Sequence, residues 1–412
     1  MLKTTTRGAF PRAGLLYAAF AGLALAAPAQ ATTGYFSNGT SVESKGMAGS
    51  GVAIGTGIMG MAANPAMGTR YPNQAAACLS FFAPDRSVTV GPGSFESDNN
   101  LFLVPCGGAN FRLKNGATAG VLVYGNGGMN TEYPTNFFGG SNPLGVNLEQ
   151  LFIQFNYATE VSDGISLGFA PIFAAQRFKA TGLEPFAGFS ANPAALTNNG
   201  DDWSYGYGAM IGATFEAGNG LTFGASYRTK MKMESFSSYS GLFAGGGEFD
   251  IPATAKIGLS YTPTSKPSLT LTAEWERIFY SNVPAIGNPF PTAAPLGGAG
   301  GPGFGWKDMD VFRIGAEYRM NPKWTLRGGL SYNTAFTDAS QATLNLLAPA
   351  TPQWHASVGA TMHINDRREL HIAYSHAFDN DLSGNLPAMF GGAPISERMS
   401  QHELSVGMTW KW

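Results

Sequence analysis

The stretch LTFGASYRTKMKME, residues 221–234, alternates apolar and polar side chains with a period of two. Its apolar face includes Phe223 and Tyr227, whereas its polar face includes Thr222 and Arg228. Successive side chains of a β-strand point to opposite sides of the sheet. The stretch therefore predicts a strand with one face suited to lipid and the other to a wet interior.

The same alternation recurs along most of the chain, and three of the clearest runs are residues 312–319, 324–333 and 403–412. Runs of roughly ten residues fit a tilted membrane crossing better than the five to six residues usual in soluble sheets. About fourteen such runs can be placed, an even number as in single-chain bacterial barrels. The sequence therefore predicts an all-β fold, a transmembrane antiparallel β-barrel of about fourteen strands over residues 76–412.

Short turns and long connections alternate between these runs. The long connections are expected around residues 182–200, 236–250, 284–305 and 378–396. Barrels of this kind have short periplasmic turns and longer extracellular loops, so these four segments are predicted to lie outside the cell.

The first residues have the form of a secretory signal peptide. Three cations precede an apolar stretch at residues 13–27, and Ala29 and Ala31 form a small-x-small cleavage pattern. We therefore expect residues 1–31 to be removed on export. Beyond them, no run approaches the roughly 18 consecutive apolar residues of a spanning helix, which leaves a membrane barrel or a soluble exported protein.

Composition favours the barrel over a soluble all-β secreted protein. The chain has 55 glycines, 12% aromatic residues and 13% charged residues, against about 25% charged residues in ordinary globular domains. The formal net charge is −2 and becomes more negative without the basic leader. No nucleic-acid partner is therefore expected.

Two cysteines, Cys78 and Cys106, are the only ones in the sequence. The turn signal Gly91–Pro92–Gly93 lies midway between them, so a symmetric hairpin would place the two thiols opposite each other. We predict a cross-strand disulfide, which an exported protein can form. Two independently buried thiols are the alternative.

Residues 32–75 lack the alternation and are rich in Gly, Ser, Ala and Met. We expect them to fill the lumen of the barrel as an N-terminal hatch, and a disordered periplasmic tail is the alternative. The segment contains G-x-G-x-x-G at Gly55, Gly57 and Gly60. A dinucleotide site would also need a surrounding βαβ unit, which the sequence lacks, so no cofactor is expected.

Several motifs resemble the FadL-type transporters, which carry long-chain fatty acids and other hydrophobic compounds across Gram-negative outer membranes. The motifs that carry this resemblance are Thr33–Phe36, Ser44–Gly49, Asn64–Pro65–Ala66, Thr131–Tyr133, Trp306–Asp308 and Trp324–Gly328. The resemblance implies a monomeric outer-membrane barrel with Asn64, Pro65 and Ala66 in its hatch. It also implies that ligand is captured by extracellular loops, passes an apolar pocket and leaves sideways through the wall.

The third predicted strand contains a glycine-rich interruption at Gly125, Asn126, Gly127 and Gly128. Glycine within a strand removes side chains and permits a bulge or a kink. We predict that this interruption forms the lateral gap that the resemblance implies. Relief of crowding in the lumen is the alternative explanation.

A hydrophobic ligand needs apolar and aromatic side chains along its path. The candidate ligand-binding residues are Tyr35, Phe36, Phe178, Leu183, Phe186 and Phe189. Several of them could instead pack a loop onto the barrel rim.

The head group of the ligand is left open by the sequence. Pro185 and the stretch Gly301–Gly303 stand where fatty-acid-carrying relatives place cations. A carboxylate would then have to stay hydrated or pair with Arg177 or Lys179, since burying it without a partner is costly. An uncharged hydrocarbon or aromatic ligand is therefore an open alternative.

Catalytic and metal sites are not expected. His371 and His376 have opposite strand parity, and no nucleophile signature lies near them. His355 and His363 are eight residues apart, too far for one ion. The expected partners are a hydrophobic small molecule and outer-membrane lipid, and the alternative function is a general porin or a structural barrel.

Overall fold

The computed structural model describes residues 33–412, and the predicted signal peptide, residues 1–31, lies outside them. The described chain forms a closed antiparallel barrel of fourteen long strands, as predicted. The strands are β1 (Gln74–Val90), β2 (Phe102–Arg112), β3 (Thr118–Tyr133), β4 (Leu144–Ser162), β5 (Ile165–Thr181), β6 (Asp202–Gly218), β7 (Leu221–Arg228), β8 (Thr254–Tyr261), β9 (Leu269–Ile278), β10 (Met309–Arg319), β11 (Trp324–Asn333), β12 (Trp354–Asn365), β13 (Arg368–Asn385) and β14 (Pro394–Lys411). Two short strands, Gly93–Glu96 and Lys232–Met233, pair with β1 and β6. β14 pairs with β1 and so closes the cylinder.

Connections at one end of the barrel are short, and those at the other end are long. The long ones are residues 91–101, 134–143, 182–201, 229–253, 279–308, 334–353 and 386–393. They include the α-helices Ala244–Gly247, Pro284–Gly287 and Ala342–Asn345, and the 3₁₀ helices Glu184–Phe189, Pro193–Ala195, Ser237–Tyr239, Tyr280–Asn282, Ala339–Gln341 and Ala388–Phe390. Among residues 33–412, no helix has the length and apolar character needed to cross a membrane.

Side chains along the strands alternate between the lumen and the outer surface. In β14, Glu403 and Ser405 are buried, whereas Leu404 is 42% exposed on the outside. The outer surface carries large apolar side chains, which include Phe155, Phe169, Phe173, Ile211, Ile257, Ile314, Leu330, Val358 and Ile372. A belt of this kind suits lipid rather than water.

The prediction of one continuous strand over residues 221–234 is wrong. β7 ends at Arg228, and beyond it Met231 and Met233 are buried whereas Lys232 is exposed. Thr229 interrupts the pattern because it bonds to Ala209 through both its backbone N–H (2.9 Å) and its hydroxyl group (3.1 Å). An offset of one residue in a strand exchanges the two faces, so the methionines point inward.

The long connection predicted at residues 378–396 is also mostly wrong. β13 continues to Asn385 and β14 begins at Pro394, which leaves a loop of residues 386–393. This part of β13 is polar because it extends beyond the apolar belt, where a strand needs no lipid-facing side chains. Conversely, the sequence prediction missed the loop at residues 334–353.

Residues 33–73, the N-terminal segment, lie inside the barrel. The segment contains the α-helix Val42–Lys45 and the 3₁₀ helices Ile58–Ala62 and Pro65–Arg70, and most of its residues are buried. It bonds to strands on opposite sides of the wall. Ala48 N donates to Ser357 Oγ (2.6 Å) on β12, and Ser226 Oγ on β7 donates to Ala63 O (2.7 Å). These contacts attach the segment to the inner face of the barrel wall.

Lumenal glycines allow this close packing. A Cβ at Gly224 would lie 2.1 Å from Val52 O, and one at Gly329 would lie 2.4 Å from the carbonyl carbon of Met47. Real Cβ atoms do not approach other atoms so closely. The glycine content of the chain therefore reflects contact between the wall and the N-terminal segment as well as turns.

Candidate functional site

The wall of the barrel is interrupted between β2 and β3. Their ladder runs from Arg112 paired with Thr118 to Cys106 paired with Tyr124 and then stops. Beyond that point, residues 125–133 of β3 continue their ladder with β4. A register shift between Gly125 and Gly127 marks a bulge where the third strand departs from the second.

Beyond this interruption, the two sides of the wall meet again near the loops. Asp98 N donates to Glu132 O (2.9 Å), and Glu132 N donates to Ser97 Oγ (3.0 Å). The interval in which β2 and β3 do not pair, called the opening below, is thus bounded by the Cys106–Tyr124 pair at one end and by these contacts at the other. The glycine-rich residues predicted as a lateral gap lie at its edge.

The N-terminal segment occupies the edge of β3 that β2 leaves. Gly128 N donates to Tyr35 O (2.9 Å), and Ser37 N donates to Asn126 O (3.0 Å). A Cβ at Gly127 would lie 1.9 Å from Tyr35 O, so a side chain at this position is incompatible with the contact. β3 therefore pairs here with the N-terminal segment instead of with its neighbour in the wall.

The predicted ligand residues Tyr35 and Phe36 belong to an inner aromatic cluster, made of Tyr35, Phe36, Phe249, Tyr280 and Trp306. Ring centroids lie 5.5 Å apart between Tyr35 and Tyr280 and 5.1 Å apart between Tyr280 and Trp306. The Tyr280 hydroxyl group donates to Thr33 O (2.5 Å). Burial raises the pKa of the Tyr35 hydroxyl group well above its usual value, so the cluster is uncharged at neutral pH.

Phe178 joins the inner cluster through one further ring, that of Phe243. Phe178 lies 4.7 Å from Phe243, which lies 4.8 Å from Phe249 of the cluster. Apolar side chains thus form a continuous path from the start of the N-terminal segment to the loop end of β5.

Phe186 and Phe189 belong to a separate outer aromatic cluster on the loops, made of Phe137, Phe138, Phe186, Phe189 and Phe390. Phe186 lies 4.9 Å from both Phe138 and Phe390, and Phe189 lies 5.6 Å from Phe390. Phe189 is 43% exposed, so this cluster reaches the surface. Leu183, the remaining predicted ligand residue, is buried at the start of the same 3₁₀ helix.

Asn64, in the predicted hatch motif, joins the N-terminal segment to the wall. Its Nδ2 donates to Val52 O (2.8 Å) and to Ala213 O (3.0 Å) on β6, and its Oδ1 accepts from Ala66 N (3.1 Å). Pro65 begins the 3₁₀ helix that this cap starts. One side chain therefore fixes both a local turn and a contact with the wall.

Ion pairs add further anchors between the segment and the wall. Lys45 pairs with Glu403 of β14, and Glu274 of β9 accepts from the backbone N–H groups of Gly51 and Val52 (both 2.8 Å). These buried contacts hold most of the segment in place, while Tyr35–Ser37 rely on backbone bonds to β3.

Cys78 and Cys106 lie directly opposite each other on β1 and β2 and are joined by a disulfide, with Cα atoms 4.9 Å apart. Cys106 Sγ also lies 3.5 Å from Thr40 O. The bond is therefore lumenal and sits at one corner of the opening, beside Tyr124.

Arg177 and Lys179 do not reach the lumen. They share the outward parity of Phe173 on β5, whereas Phe178 between them is buried. Arg177, which is partly exposed, pairs with the buried Glu149 (2.8 Å) on the neighbouring strand β4. Neither cation is therefore positioned to bind a ligand carboxylate inside the barrel.

Residues brought in by distant parts of the chain were missed. Phe249, Tyr280 and the buried Arg228 join the site, and none of them was singled out as a ligand contact from the sequence. Arg228 lay on the wet face of the quoted strand, which was the available signal. Within residues 33–412, no group of three or more His, Cys, Asp or Glu side chains could hold a metal.

Comparisons with known proteins give a consistent result. A family profile described as "Outer membrane protein transport protein (OMPP1/FadL/TodX)" matches residues 22–388. The crystal structure of the Pseudomonas putida toluene transporter TodX is similar, with 17% identity, a TM-score of 0.70, and coverage of 91% of this chain and 99% of that one. A Pseudomonas aeruginosa FadL homologue has 16% identity, a TM-score of 0.70, and coverage of 92% and 99%.

A third solved structure, that of the Ralstonia pickettii toluene transporter TbuX, has 19% identity, a TM-score of 0.64, and coverage of 91% and 99%. At these identities the likeness is one of fold. A search of curated protein sequences finds no match.

Proposed function

The chain belongs to the OMPP1/FadL/TodX family of outer-membrane transport proteins, and from this premise we propose that it is a passive channel for hydrophobic small molecules with a lateral exit. Members of this family are barrels of the Gram-negative outer membrane. They are transport channels for hydrophobic compounds and not enzymes. The observation that carries the finer proposal is the end of the β2–β3 ladder at Cys106 and Tyr124.

Capture is assigned to the outer aromatic cluster. Its rings come from three loops that are far apart in the sequence, and Phe189 is partly open to solvent. A hydrophobic ligand gains roughly 0.8 kcal/mol for each methylene removed from water. A partly exposed ring surface at the loops therefore suits first contact with the ligand.

Passage is assigned to the ring path from Phe178 to Tyr35. This path is buried and runs between the loop end of β5 and the N-terminal segment. Aromatic contacts are individually worth about 0.5–1.5 kcal/mol beyond burial, so a ligand can exchange one ring contact for the next without a steep barrier.

Release is assigned to the opening between β2 and β3, with the N-terminal segment acting as the hatch. Two backbone bonds, from Gly128 N to Tyr35 O and from Ser37 N to Asn126 O, close this edge. Such bonds contribute about 0.5–1.5 kcal/mol each, so a bound ligand can offset their loss. A sideways exit delivers the ligand to lipid and avoids the aqueous periplasm.

The remaining parts of the proposal concern assembly and chemistry. We propose that the barrel acts as a monomer surrounded by outer-membrane lipid, because the β14–β1 pairing removes the two terminal edges of the sheet. Transport of this kind needs no catalytic residue, metal or cofactor.

A general porin is the competing function, and the filled lumen argues against it. The test uses liposomes that contain the purified full chain. We expect labelled toluene or dodecane to enter well above the rate of protein-free liposomes, while osmotic swelling with small sugars stays near background. Rapid swelling in sugars without faster hydrocarbon entry would contradict the proposal and support the porin.

A further inference from the structure

A row of buried amide side chains crosses the inner face of the wall, from the opening to an extracellular loop. Asn126 Nδ2 donates to Gln150 Oε1 (2.9 Å), and Gln150 Nε2 donates to Gln176 Oε1 (3.1 Å). Gln176 Nε2 then donates to Phe249 O (2.8 Å) in the loop of residues 229–253. These three side chains, Asn126, Gln150 and Gln176, are called the amide row. The row links β3, β4 and β5 to one loop.

The two ends of the amide row lie at two different stages of the proposed transport path. At one end, Asn126 O accepts from Ser37 N (3.0 Å), which is one of the two backbone bonds that hold the N-terminal segment over the opening. At the other end, the Phe249 ring lies 4.8 Å from that of Phe243 and 6.2 Å from that of Tyr35 on the ring path. The row thus connects a residue that a passing ligand meets to the edge at which the ligand would leave.

The bulge in β3 brings Asn126 into the amide row. Gly125 pairs with Leu151 and Gly127 pairs with Gln150, so Asn126 is the extra residue between them. A bulge re-aims a side chain, and that of Asn126 is buried beside Gln150. The irregularity that interrupts the wall therefore also supplies the row with its first member.

The groups at the two ends fix the direction of every amide in the row. The Phe249 carbonyl oxygen can only accept, so Gln176 presents its NH₂ group there and turns Oε1 towards Gln150. The Arg228 guanidinium can only donate, and its Nη1 donates to Asn126 Oδ1 (2.8 Å). Each amide therefore has one orientation that satisfies both of its neighbours. Reversing any one of them would place two donors or two acceptors face to face.

The same loop orients Gln176 through a second contact. Gln176 Nε2 also donates to Ser204 Oγ (3.3 Å) on β6, and Ser204 Oγ donates to Glu234 O (2.6 Å). Because Glu234 O takes the hydroxyl hydrogen of Ser204, the hydroxyl oxygen is left as an acceptor for Gln176. Both contacts that orient this end of the amide row thus depend on residues 229–253.

The strands do not need these side chains in order to pair. Backbone ladders join β3 to β4 and β4 to β5 here, and Gln150 pairs with Gly127 on one side and with Gln176 on the other. Gln150 and Gln176 are 2% and 0% exposed, and a buried amide that loses its partner is costly. Because the bonds of such a network depend on one another, loss of the Phe249 bond affects the far end of the row.

We infer that Gln150 and Gln176 are positioning residues that couple the loop of residues 229–253 to the opening. The Phe249 ring is fully buried, so a ligand on the ring path displaces it and breaks the bond from Gln176 to Phe249 O. The amide row then loses the acceptor that fixes its direction, and the bulge at Asn126 holds the N-terminal segment less tightly. The inference rests on the proposed function and adds a means by which arrival of a ligand regulates its release. By linkage, an attached N-terminal segment favours the ligand-free position of the loop.

The test measures hydrogen–deuterium exchange by mass spectrometry in the detergent-purified full chain. The ligand is toluene or dodecane, whichever enters wild-type liposomes faster, and samples are compared with and without it. In the wild-type chain, the hydrocarbon should raise amide exchange in residues 33–41 and 125–133 about threefold or more, as expected for loss of one or two hydrogen bonds.

Gln176→Leu keeps a side chain of similar size that cannot form hydrogen bonds. Its exchange in residues 33–41 and 125–133 should already be raised without hydrocarbon, and the ligand should then add less than about 1.5-fold. Gln150→Leu should behave in the same way. The combined variant should add little to either one, because both side chains act through one row.

Asn147→Leu is the matched control. Asn147 Oδ1 accepts from Asn130 Nδ2 (2.9 Å), which is a side-chain amide bond between the same two strands, β3 and β4, outside the amide row. This variant should keep the full response to the hydrocarbon. A purely structural loss shifts exchange equally with and without ligand, whereas loss of the coupling removes the difference between the two.

A folded Gln176→Leu variant that keeps the wild-type response would overturn the inference, as would hydrocarbon binding to the wild-type chain without a change in exchange at residues 33–41. Failure of wild-type liposomes to take up either hydrocarbon would instead overturn the proposed function. Should the variants not fold, a hydrocarbon titration of the wild-type chain provides a second measurement. Exchange in residues 243–253 and in residues 125–133 should rise with one midpoint, and two separate midpoints would contradict the coupling.

Discussion

β1 and β14 pair along all seventeen residues of β1, from Gln74 to Val90, whereas β2 and β3 pair along seven residues and then part. Each of these two pairs of neighbouring strands forms a seam of the barrel wall. In both seams, the side chains of the strands alternate between the lumen and the outer surface. At the first seam, backbone groups of the two strands bond to each other. At the second, Asn126 and Gly128 bond to the N-terminal segment instead.

The sequences of the two seams explain this difference. The part of β3 beyond the last β2–β3 pair contains Gly125, Gly127 and Gly128. Pro105 of β2 does not by itself explain the interruption, since Pro84 lies within the fully paired β1–β14 ladder. No comparable run of glycines occurs along β1 or β14. Continuity of a barrel wall is thus decided locally, by which residues can complete a ladder.

Breaking the continuous seam should have the largest effect. Val406 pairs with Leu79 on β1 and with Ile372 on β13, and Val406→Pro removes a backbone donor there. We expect less than about a tenth of the wild-type amount of folded barrel, measured by heat-modifiable migration in gels. Leu103→Pro is the control, because Leu103 pairs with β1 alone, and its loss should be smaller. Equal yields for both would remove the distinction between the seams.

Side chains added to β3 at the β2–β3 seam should abolish transport without preventing folding. A Cβ at Gly127 would lie 1.9 Å from Tyr35 O, so Gly127→Val combined with Gly128→Val places bulk in the opening. We expect hydrocarbon uptake below about a tenth of the wild-type rate, since overpacking of this kind is poorly absorbed. Gly328→Val is the control because its Cβ would have no neighbour nearer than 3.8 Å. Wild-type uptake by the double variant would rule out the lateral route.

Loss of an anchor should weaken the attachment of the N-terminal segment, which covers the edge of β3 at the β2–β3 seam. Asn64→Ala removes two donor bonds and a helix cap, and we expect a loss of about 1–3 kcal/mol in the stability of the segment. Faster proteolysis or hydrogen exchange within residues 33–73 would report it. Ser37→Ala removes a bond internal to the segment and should change these rates less. Identical exchange in both variants would contradict the anchoring role of Asn64.

The smallest effect is expected at the loop that covers the inner side of the opening. Leu346 O and Leu347 O accept from Tyr133 and Thr131 of β3, and the same loop is tied down by Asp338. Hydrogen bonds from Ser340 and Lys307 hold the pKa of Asp338 below its usual value.

Because the pKa of Asp338 is lowered in the folded protein, its ionised carboxylate stabilises the loop fully above the ordinary aspartate pKa near 4. This stabilisation is lost as the pH falls through the lowered pKa. Wild-type residues 334–353 should therefore exchange amide hydrogens slightly faster at pH 3 than at pH 7 after correction for intrinsic rates. Asp338→Asn should show no such change, and an equal change in the variant would exclude Asp338 as its source. The effect is small because the side chain is 48% exposed.

The fold was largely predictable because a barrel wall repeats one local rule. Residues 403–412 alternate in the structure as they do in the sequence. The rule failed where the local chain gives no sign of the change, as at Thr229, whose bonds to Ala209 depend on a neighbouring strand. The alternation rule also failed where β13 extends past the apolar belt. There the strand is mostly polar, so its sequence resembles that of a loop.

The site was less predictable because it is assembled from distant segments. The glycines of β3 were visible as an interruption, but their partner, Tyr35, lies about ninety residues earlier in the chain. Arg228 likewise shares a cavity with Phe36 of the N-terminal segment and with Glu276 of β9. Such a meeting is a property of packing in three dimensions and leaves no spacing pattern in the sequence.

The disulfide has a mechanical consequence for a barrel whose wall is interrupted between β2 and β3. Cys106 forms the last pair of the β2–β3 ladder, and Cys78 lies on β1, which closes the barrel by pairing with β14. The disulfide joins β2 to β1 and leaves β3 without a covalent link to β2. We therefore expect it to keep β2 attached to the barrel if the spacing between β2 and β3 changes, so that a local movement there does not spread to the strand that completes the cylinder.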